Sequence, residues 1–221
     1  MKLTYNEGAK KIHGMVLHYS SIDTKHVEEL LGRTPKKVLV VGSWDGGDEL
    51  RFKDAWPDCK VHGVEASPTA YERAKKVSSF GINVHHFAMA GHDGHVTFYG
   101  TDNCKGEWCS GSVLKHTEDF SKDTGVVSRP AIVVPCKRLD TFCAEEMLND
   151  IDLMQMDTEG YIGEILSGFG EQRPKILFIE ILPVRWYMYG DAVDAVITKL
   201  SLMGYENIDN NGVDWLFVRK K

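Results

Sequence analysis

Nowhere in these 221 residues do about 18 consecutive apolar residues occur, so no membrane-spanning helix is expected. The opening segment, MKLTYNEGAKKIHGMVLHYS, also lacks an apolar run resembling a signal peptide. Basic charge is scarce: 26 Lys and Arg stand against 32 Asp and Glu, and the net charge of −6 leaves no general basic surface for a phosphate backbone. Nucleic acid is therefore a disfavoured partner. The five cysteines, at 59, 104, 109, 136 and 143, are odd in number and scattered, which excludes a regular disulfide framework. They read as reduced thiols, and the expectation is a soluble, cytoplasmic chain large enough for one sizeable core. Proline is absent before Pro35, and Ile12, Met15, Val16 and Tyr19, then Val27, Leu30 and Leu31, fall at helical spacings. A helical N-terminal cap is expected over 1–34.

What the chain does contain is a repeating rhythm. From residue 35 onward, short β-branched runs (KVLVVG, KVHGVE, INVHHFA) alternate with helical stretches, as in βαβ units, which predicts one α/β domain over 35–221 built on a doubly wound, mostly parallel sheet. Ser67 and Pro68 mark the start of the helix after VEAS, and Gly81 marks its stop. A polar, irregular stretch at about 100–130 reads as an excursion over the active face. Near the end, Asn210, Asn211 and Gly212 separate two alternating runs, so a hairpin with an antiparallel strand over 213–218 is expected.

The first chemical feature is VLVVGSWDGG, a strand entering a glycine-rich turn at Gly42, Gly46 and Gly47. Such a turn lets a ligand pass close above a strand end. Glu65, at the end of the next strand, is placed to accept hydrogen bonds from both hydroxyls of a ribose. The bland alternative is a structural βα turn followed by a solvated glutamate. A dinucleotide fingerprint would need glycine at position 44, where Trp44 stands, so an adenosyl ligand without phosphates fits better.

Taken in order, VEASP, FAMAGHDGHVTFYG, GSVL, VPCKRLDTF, IDLMQMDTEGYIGEILSGF and ILFIEI resemble a class I S-adenosylmethionine-dependent methyltransferase of the FkbM family, over about residues 36–218. The resemblance implies a Rossmann-like fold with S-adenosyl-L-methionine as cofactor. It implies that Gly42, Ser43 and Gly46 line the methionine end, that Glu65 holds the ribose, that Ala66 borders the adenine, and that Ala88 and Met89 complete its pocket. One departure is Val40, where the family usually carries an acid; Asp45, inside the loop, is the local substitute.

In such a fold Asp157 lies beside the reacting methyl group. Methyl transfer needs an aligned acceptor and a group to take its proton, so Asp157 and Glu159 are the candidate catalytic pair, with Glu159 the preferred base, Asp157 the orienting partner, and the reverse assignment open. The competing interpretation is that both acids only cap the following helix. Glu180 could add a third acid, and Trp186 with Tyr187 a platform for a sugar or aromatic ring. A divalent cation held by these acids is the lesser alternative. The histidines of HHFAMAGHDGH and the Cys104/Cys109 pair match no usual zinc spacing, and His85 and His86 point to opposite faces of a strand, so no metal site is expected there. The expected reaction is O-methylation of a hydroxyl on a small molecule, sugar or lipid. The alternatives are RNA ribose 2′-O-methylation and a silent S-adenosylmethionine-binding module, for which Val40 is the best argument.

Overall fold

The computed structural model describes residues 10–101 and 110–220; Cys104 and Cys109, and part of the 100–130 excursion, lie outside them. Strands β3 (Lys37–Val41), β4 (Lys60–Glu65), β5 (Asn83–His86), β9 (Leu153–Met156), β10 (Ile176–Glu180), β11 (Tyr205–Asn210) and β12 (Asp214–Arg219) form a sheet in the order β11-β12-β10-β9-β3-β4-β5. The five strands from β10 to β5 are parallel, and β12 runs antiparallel to both β10 and β11. This is the expected α/β sheet with its C-terminal hairpin. A smaller sheet joins β6 (Ala88–Met89), β7 (Gly94–Phe98) and β8 (Ile132–Lys137) in the order β6-β8-β7.

Both faces of the large sheet are covered, as parallel sheets require. Along β3, Leu39 and Val41 join one apolar layer and Val38 and Val40 the other. The first layer takes in α5 (Leu139–Glu145), α6 (Ile162–Ser167) and α7 (Val193–Leu202) through Leu139, Phe142, Ile165, Val196 and Leu200. The second packs α1 (Thr24–Leu31) and α2 (Gly47–Ala55) through Val27, Leu50 and Phe52, with Trp56 just beyond α2. Helix α3 (Pro68–Ala74) begins as expected, with Ser67 Oγ accepting from the Ala70 amide and Pro68 at the first turn. It runs into a 3-10 turn that Gly81 closes.

The N-terminal segment departs from the expected helical cap. Lys10–Ile12 and Met15–Leu17 are β1 and β2 of a small hairpin, and among the described residues of this segment only Thr24–Leu31 is an α-helix. The turn between them puts His13 at φ 48° and Gly14 at φ 84°. Two successive left-handed residues terminate any helix, and His-Gly supplies them at little steric cost.

Candidate active site

In the sheet the chain winds outward from β3 through β4 and β5 on one side, and from β9 through β10 on the other. The crevice above the carboxyl ends of β3 and β9 is thus the switch point where ligands of open α/β sheets bind. A cavity of about 220 Å³ opens there. Gly42 sits at its floor with φ 92°, and a Cβ on it would come within 1.9 Å of the Asp157 carbonyl oxygen. Its glycine is needed to let the ends of β3 and β9 meet, besides any ligand. Gly46 caps α2 at φ 83°, where a Cβ would meet Val77; it does not line the cavity.

Glu65 ends β4 with its side chain buried in the cavity wall. One carboxylate oxygen accepts from the Trp44 amide at 2.8 Å and the other from the Ser67 amide at 2.7 Å. These bonds fix the plane of the carboxylate and leave a lone pair on each oxygen, the pattern that two vicinal hydroxyls require. Burial outweighs the two amide bonds and pushes its pKa up to about 7. Ala66, Phe87, Ala88 and Met89 form an apolar wall beside it. Ser43 and Trp44 also line the cavity, and the Trp44 ring packs against His18 with centroids 4.4 Å apart.

The acid missing at position 40 is not replaced by Asp45. That carboxylate accepts from the His18 amide, His18 Nδ1 and the Gly47 amide, all at 3.0 Å, and lies off the cavity. Its task is to tie the N-terminal segment to the start of α2. Asp48, in the first turn of α2, lines the cavity instead. Gln155 Nε2 donates to it at 2.6 Å and the Ser20 amide at 3.0 Å. Gln155 is the β9 residue paired with Val40, so the polar group sits one strand over from its usual place.

Asp157 follows β9 directly, its amide donating to the Val41 carbonyl at 2.9 Å, and its carboxyl opens onto the cavity. Surrounding protein pushes that carboxyl up to about 6, opposed by a hydrogen bond shared with Glu180 at the end of β10. Glu180 is driven well above the usual carboxylate range, first by burial and then by the negative charges of Asp157 and Glu159. The two carboxyls therefore titrate as one coupled pair, in which the charge of one disfavours ionisation of the other. Glu159 is pushed up to about 8 by burial and by Asp157, although the Tyr187 hydroxyl donates to it. It holds φ 52°, a conformation that side-chain-bearing residues keep only where the surroundings impose it. The Ser112 hydroxyl, from the excursion, donates to its carbonyl at 2.7 Å.

Helix capping does not account for these acids. The residue preceding α6 is Tyr161, whose own side chain makes no capping hydrogen bond, and the first-turn Gly163 amide is capped instead by the Asp191 carboxylate at 2.6 Å. Trp186 is not in the cavity: its indole N–H donates to Asp123 at 2.8 Å, and the neighbouring Tyr187 reaches the site instead. A 3-10 turn at Val184–Trp186 decides which of the two aromatic rings points inward. Sequence reasoning also passed over Asp48 and Asp214, which line the cavity. For Asp214 the signal was present, since alternation in β12 puts it opposite Trp215 and Phe217.

The site thus combines a carboxylate poised for two hydroxyls, an apolar slot and a concentration of acids (Asp48, Asp157, Glu159, Glu180, Asp214) at its other end. An adenosyl group suits the first two, and the positive ammonium and sulfonium of S-adenosylmethionine suit the third.

The Methyltransferase FkbM domain family matches residues 41–206. The 2-O-methyltransferase NoeI of Sinorhizobium fredii (strain NBRC 101917 / NGR234) is 28% identical over 162 residues, which cover 70% of this chain and 66% of that protein. The match therefore spans just under two thirds of that relative's length. Among solved structures, S-adenosylmethionine-bound CalS10, an amino pentose methyltransferase from Micromonospora echinaspora, superposes with a TM-score of 0.50 at 10% identity, over 89% of this chain and 88% of the other. The plantazolicin methyltransferase BpumL, in complex with a triazolic desmethylPZN analogue and SAH, gives a TM-score of 0.40 at 11% identity, over 72% of this chain and 43% of the other.

Proposed function

The chain belongs to the FkbM methyltransferase domain family, and on that premise we propose that it is an S-adenosylmethionine-dependent O-methyltransferase acting on a hydroxyl of a small, polar acceptor. The observation that carries this reading is the Asp157–Glu180 pair at the switch point, opposite Glu65 in the same cavity. The 2-O-methyltransferase activity named for the NoeI relative agrees with an oxygen acceptor.

S-adenosylmethionine, when bound, supplies an electrophilic methyl group on a sulfonium. Glu65 holds the ribose hydroxyls, and Ala66, Phe87, Ala88 and Met89 enclose the adenine. Asp48, with its orientation set by Gln155 and Ser20, is the acid nearest to replacing the one absent at Val40. Asp157 is the base. Its pKa near 6 leaves it ionised at neutral pH, whereas Glu159, near 8, retains its proton. This reverses the assignment preferred from sequence, with Glu159 now the orienting group. An alcohol has little tendency to ionise unaided, so Asp157 accepts the hydroxyl proton as the oxygen attacks, and the hydrogen bond shared with Glu180 steadies Asp157 in the right orientation. Ser110, Gly111, Ser112 and Val113 wall the acceptor side and restrict its size. The acid concentration also disfavours a phosphate-bearing acceptor such as RNA.

The test is single-turnover transfer from methyl-labelled S-adenosylmethionine to a panel of sugars, small alcohols and amines, with the product bond identified by NMR. A methoxyl product is expected. Transfer confined to amines, or binding of S-adenosylmethionine without transfer to any of the panel, would overturn the oxygen assignment.

A further inference from the structure

The supports of Glu159 lead back to one side chain outside the cavity lining. Glu159 is held by the segment 110–113, whose Ser112 hydroxyl donates to its carbonyl, and by Tyr187, whose hydroxyl donates to its carboxyl. Both supports meet at His116, which is 6% exposed and is not among the residues that line the cavity. We propose that His116 is a positioning residue for methyl transfer: its neutral ring, with the proton on Nε2, fixes the 110–113 wall and Tyr187 against Glu159 and so sets how the acceptor is held, a role that rests on the reading of 110–113 as the acceptor side.

The partners of the ring assign its proton. His116 Nε2 lies 2.8 Å from the Ser110 carbonyl oxygen, and Nδ1 lies 3.0 Å from the Ser128 hydroxyl. A carbonyl oxygen can only accept, so Nε2 donates; in a neutral ring Nδ1 is then an acceptor, and the Ser128 hydroxyl donates to it. Burial lowers the pKa of the ring, which keeps it neutral at neutral pH. Both nitrogens are committed, so His116 is no base and its contribution is geometric. The bond to Ser110 pins the backbone of the residue whose own hydroxyl hydrogen-bonds the Glu159 carboxyl. Two positions further on, Ser112 exchanges both backbone bonds with Tyr99, at 2.7 and 3.0 Å, and its hydroxyl accepts from the Leu114 amide at 3.0 Å. The wall is thus stitched to the exit of β7 on one side and to His116 on the other.

The same ring meets Tyr187, with centroids 5.4 Å apart. The two backbones form an antiparallel bridge, in which the Thr117 amide donates to the Trp186 carbonyl at 3.0 Å and the Met188 amide to the Lys115 carbonyl at 2.8 Å. Phe120, in α4 (Glu118–Thr124), closes another side, its centroid 4.3 Å from that of His116. One imidazole therefore touches both segments that hold Glu159, and displacing it loosens them together. Sequence reasoning passed over it because its partners Ser110 and Ser128 lie 6 and 12 residues away in irregular chain, where no period marks a pairing.

The experiment uses the full chain and two amide variants that divide the ring's nitrogens. In His116→Gln the side-chain amide reaches the place of Nε2 and can still donate to Ser110; in His116→Asn it stands near the place of Nδ1 and cannot. With whichever acceptor the transfer panel identifies, hydroxyl or amine, His116→Asn should raise acceptor KM roughly 10-fold, the scale of one lost buried hydrogen bond. Its kcat and its calorimetric affinity for S-adenosylmethionine should stay near those of the parent, and His116→Gln should recover most of the KM. Hydrogen exchange needs no acceptor, so it stands even if the oxygen assignment fails: the 110–113 amides should exchange faster in His116→Asn than in the parent or His116→Gln, with β9 unchanged. If His116→Asn does not fold, imidazole nitrogen NMR of the parent and the Ser128→Ala variant decide. The parent ring should carry its proton on Nε2, and Ser128→Ala, which removes only the bond to Nδ1, should raise acceptor KM by less than the loss of the Ser110 bond and speed exchange at 110–113. A proton on Nδ1 in the parent, parent-like KM and exchange in His116→Asn, parent-like KM and exchange in Ser128→Ala, or equal losses in His116→Asn and His116→Gln would overturn the proposal.

Discussion

The Tyr187 hydroxyl donates a hydrogen bond to the Glu159 carboxyl, joining the segment after β10 to the segment after β9 across the mouth of the cavity. The same ring packs over Gly160, where a Cβ would come within 2.7 Å of it. Tyr187 therefore holds both Glu159 and the backbone that bends at φ 52°. Tyr187→Phe keeps the ring and removes the bond. Thermal melts should show a loss of about 1 kcal/mol, the usual net value of a hydrogen bond. Acceptor KM should rise while S-adenosylmethionine affinity stays near that of the parent. Unchanged KM would show that Glu159 needs no support from Tyr187.

Glu65→Ala should weaken S-adenosylmethionine binding by about 1.5–3 kcal/mol, the range for hydrogen bonds to a charged group. Isothermal titration calorimetry measures it. Because Glu65 also accepts from the Trp44 and Ser67 amides, Glu65→Gln is the better control for shape: one amide oxygen remains to accept, and an intermediate loss is expected. Parent affinity in both variants would remove the ribose assignment.

The ligand-free chain should lose stability as pH rises. Glu65, Asp157 and Glu159 have folded pKa values of about 7, 6 and 8, above their ordinary values of 4.5, 3.8 and 4.5. In that window the folded state holds more protons than the unfolded one, so this contribution is full below about pH 4 and is lost as pH rises toward about 8. Asp152 acts in the opposite sense. Held at about 2 by Arg33 and Lys175, it contributes stability above its ordinary value of 3.8 that disappears as pH falls through 2. Tm measured from pH 5 to pH 8 should therefore fall, and the product S-adenosylhomocysteine, whose ammonium meets the acids, should reduce the slope. A Tm that rises over this range would contradict the pKa assignments.

Asp152 also offers a purely structural contrast. It is 1% exposed and accepts from Arg33, the Lys36 amide and Lys175, tying α1's exit to the starts of β3 and β10. Asp152→Asn should cost about 2–3 kcal/mol, somewhat less than a fully buried pair because both cations are over one third exposed. Methyl transfer per folded molecule should be unchanged. Denaturant melts and turnover on one sample check both.

Much of the architecture was legible because parallel central strands are buried on both faces and read as unbroken apolar runs: KVLVV and ILFIE are β3 and β10. The hairpin at 210–212 was legible from turn chemistry. The N-terminal hairpin was not, since Ile12, Met15 and Val16 satisfy a helical period equally well, and three-residue strands are too short for alternation to show. Within the site, Asp157 and Glu65 could be placed because each ends a strand. Asp48 could not, because its position depends on how α2 turns against Gln155, a contact 107 residues away. The choice between Trp186 and Tyr187 likewise rests on a single 3-10 turn that carries no periodic signal.

The most direct test of the account is the single-turnover rate of Asp157→Asn, measured alongside its affinity for S-adenosylmethionine. The amide keeps the shape of the carboxyl but cannot take a proton, so transfer to a hydroxyl should fall roughly 100-fold or more, the usual scale for a lost general base, with cofactor affinity near normal. The rise in kcat/KM centred near pH 6 in the parent should vanish in the variant, as Asp157 titrates there. A variant that binds S-adenosylmethionine and turns over at the parent rate, with the same pH profile, would contradict the assignment of Asp157 as the base.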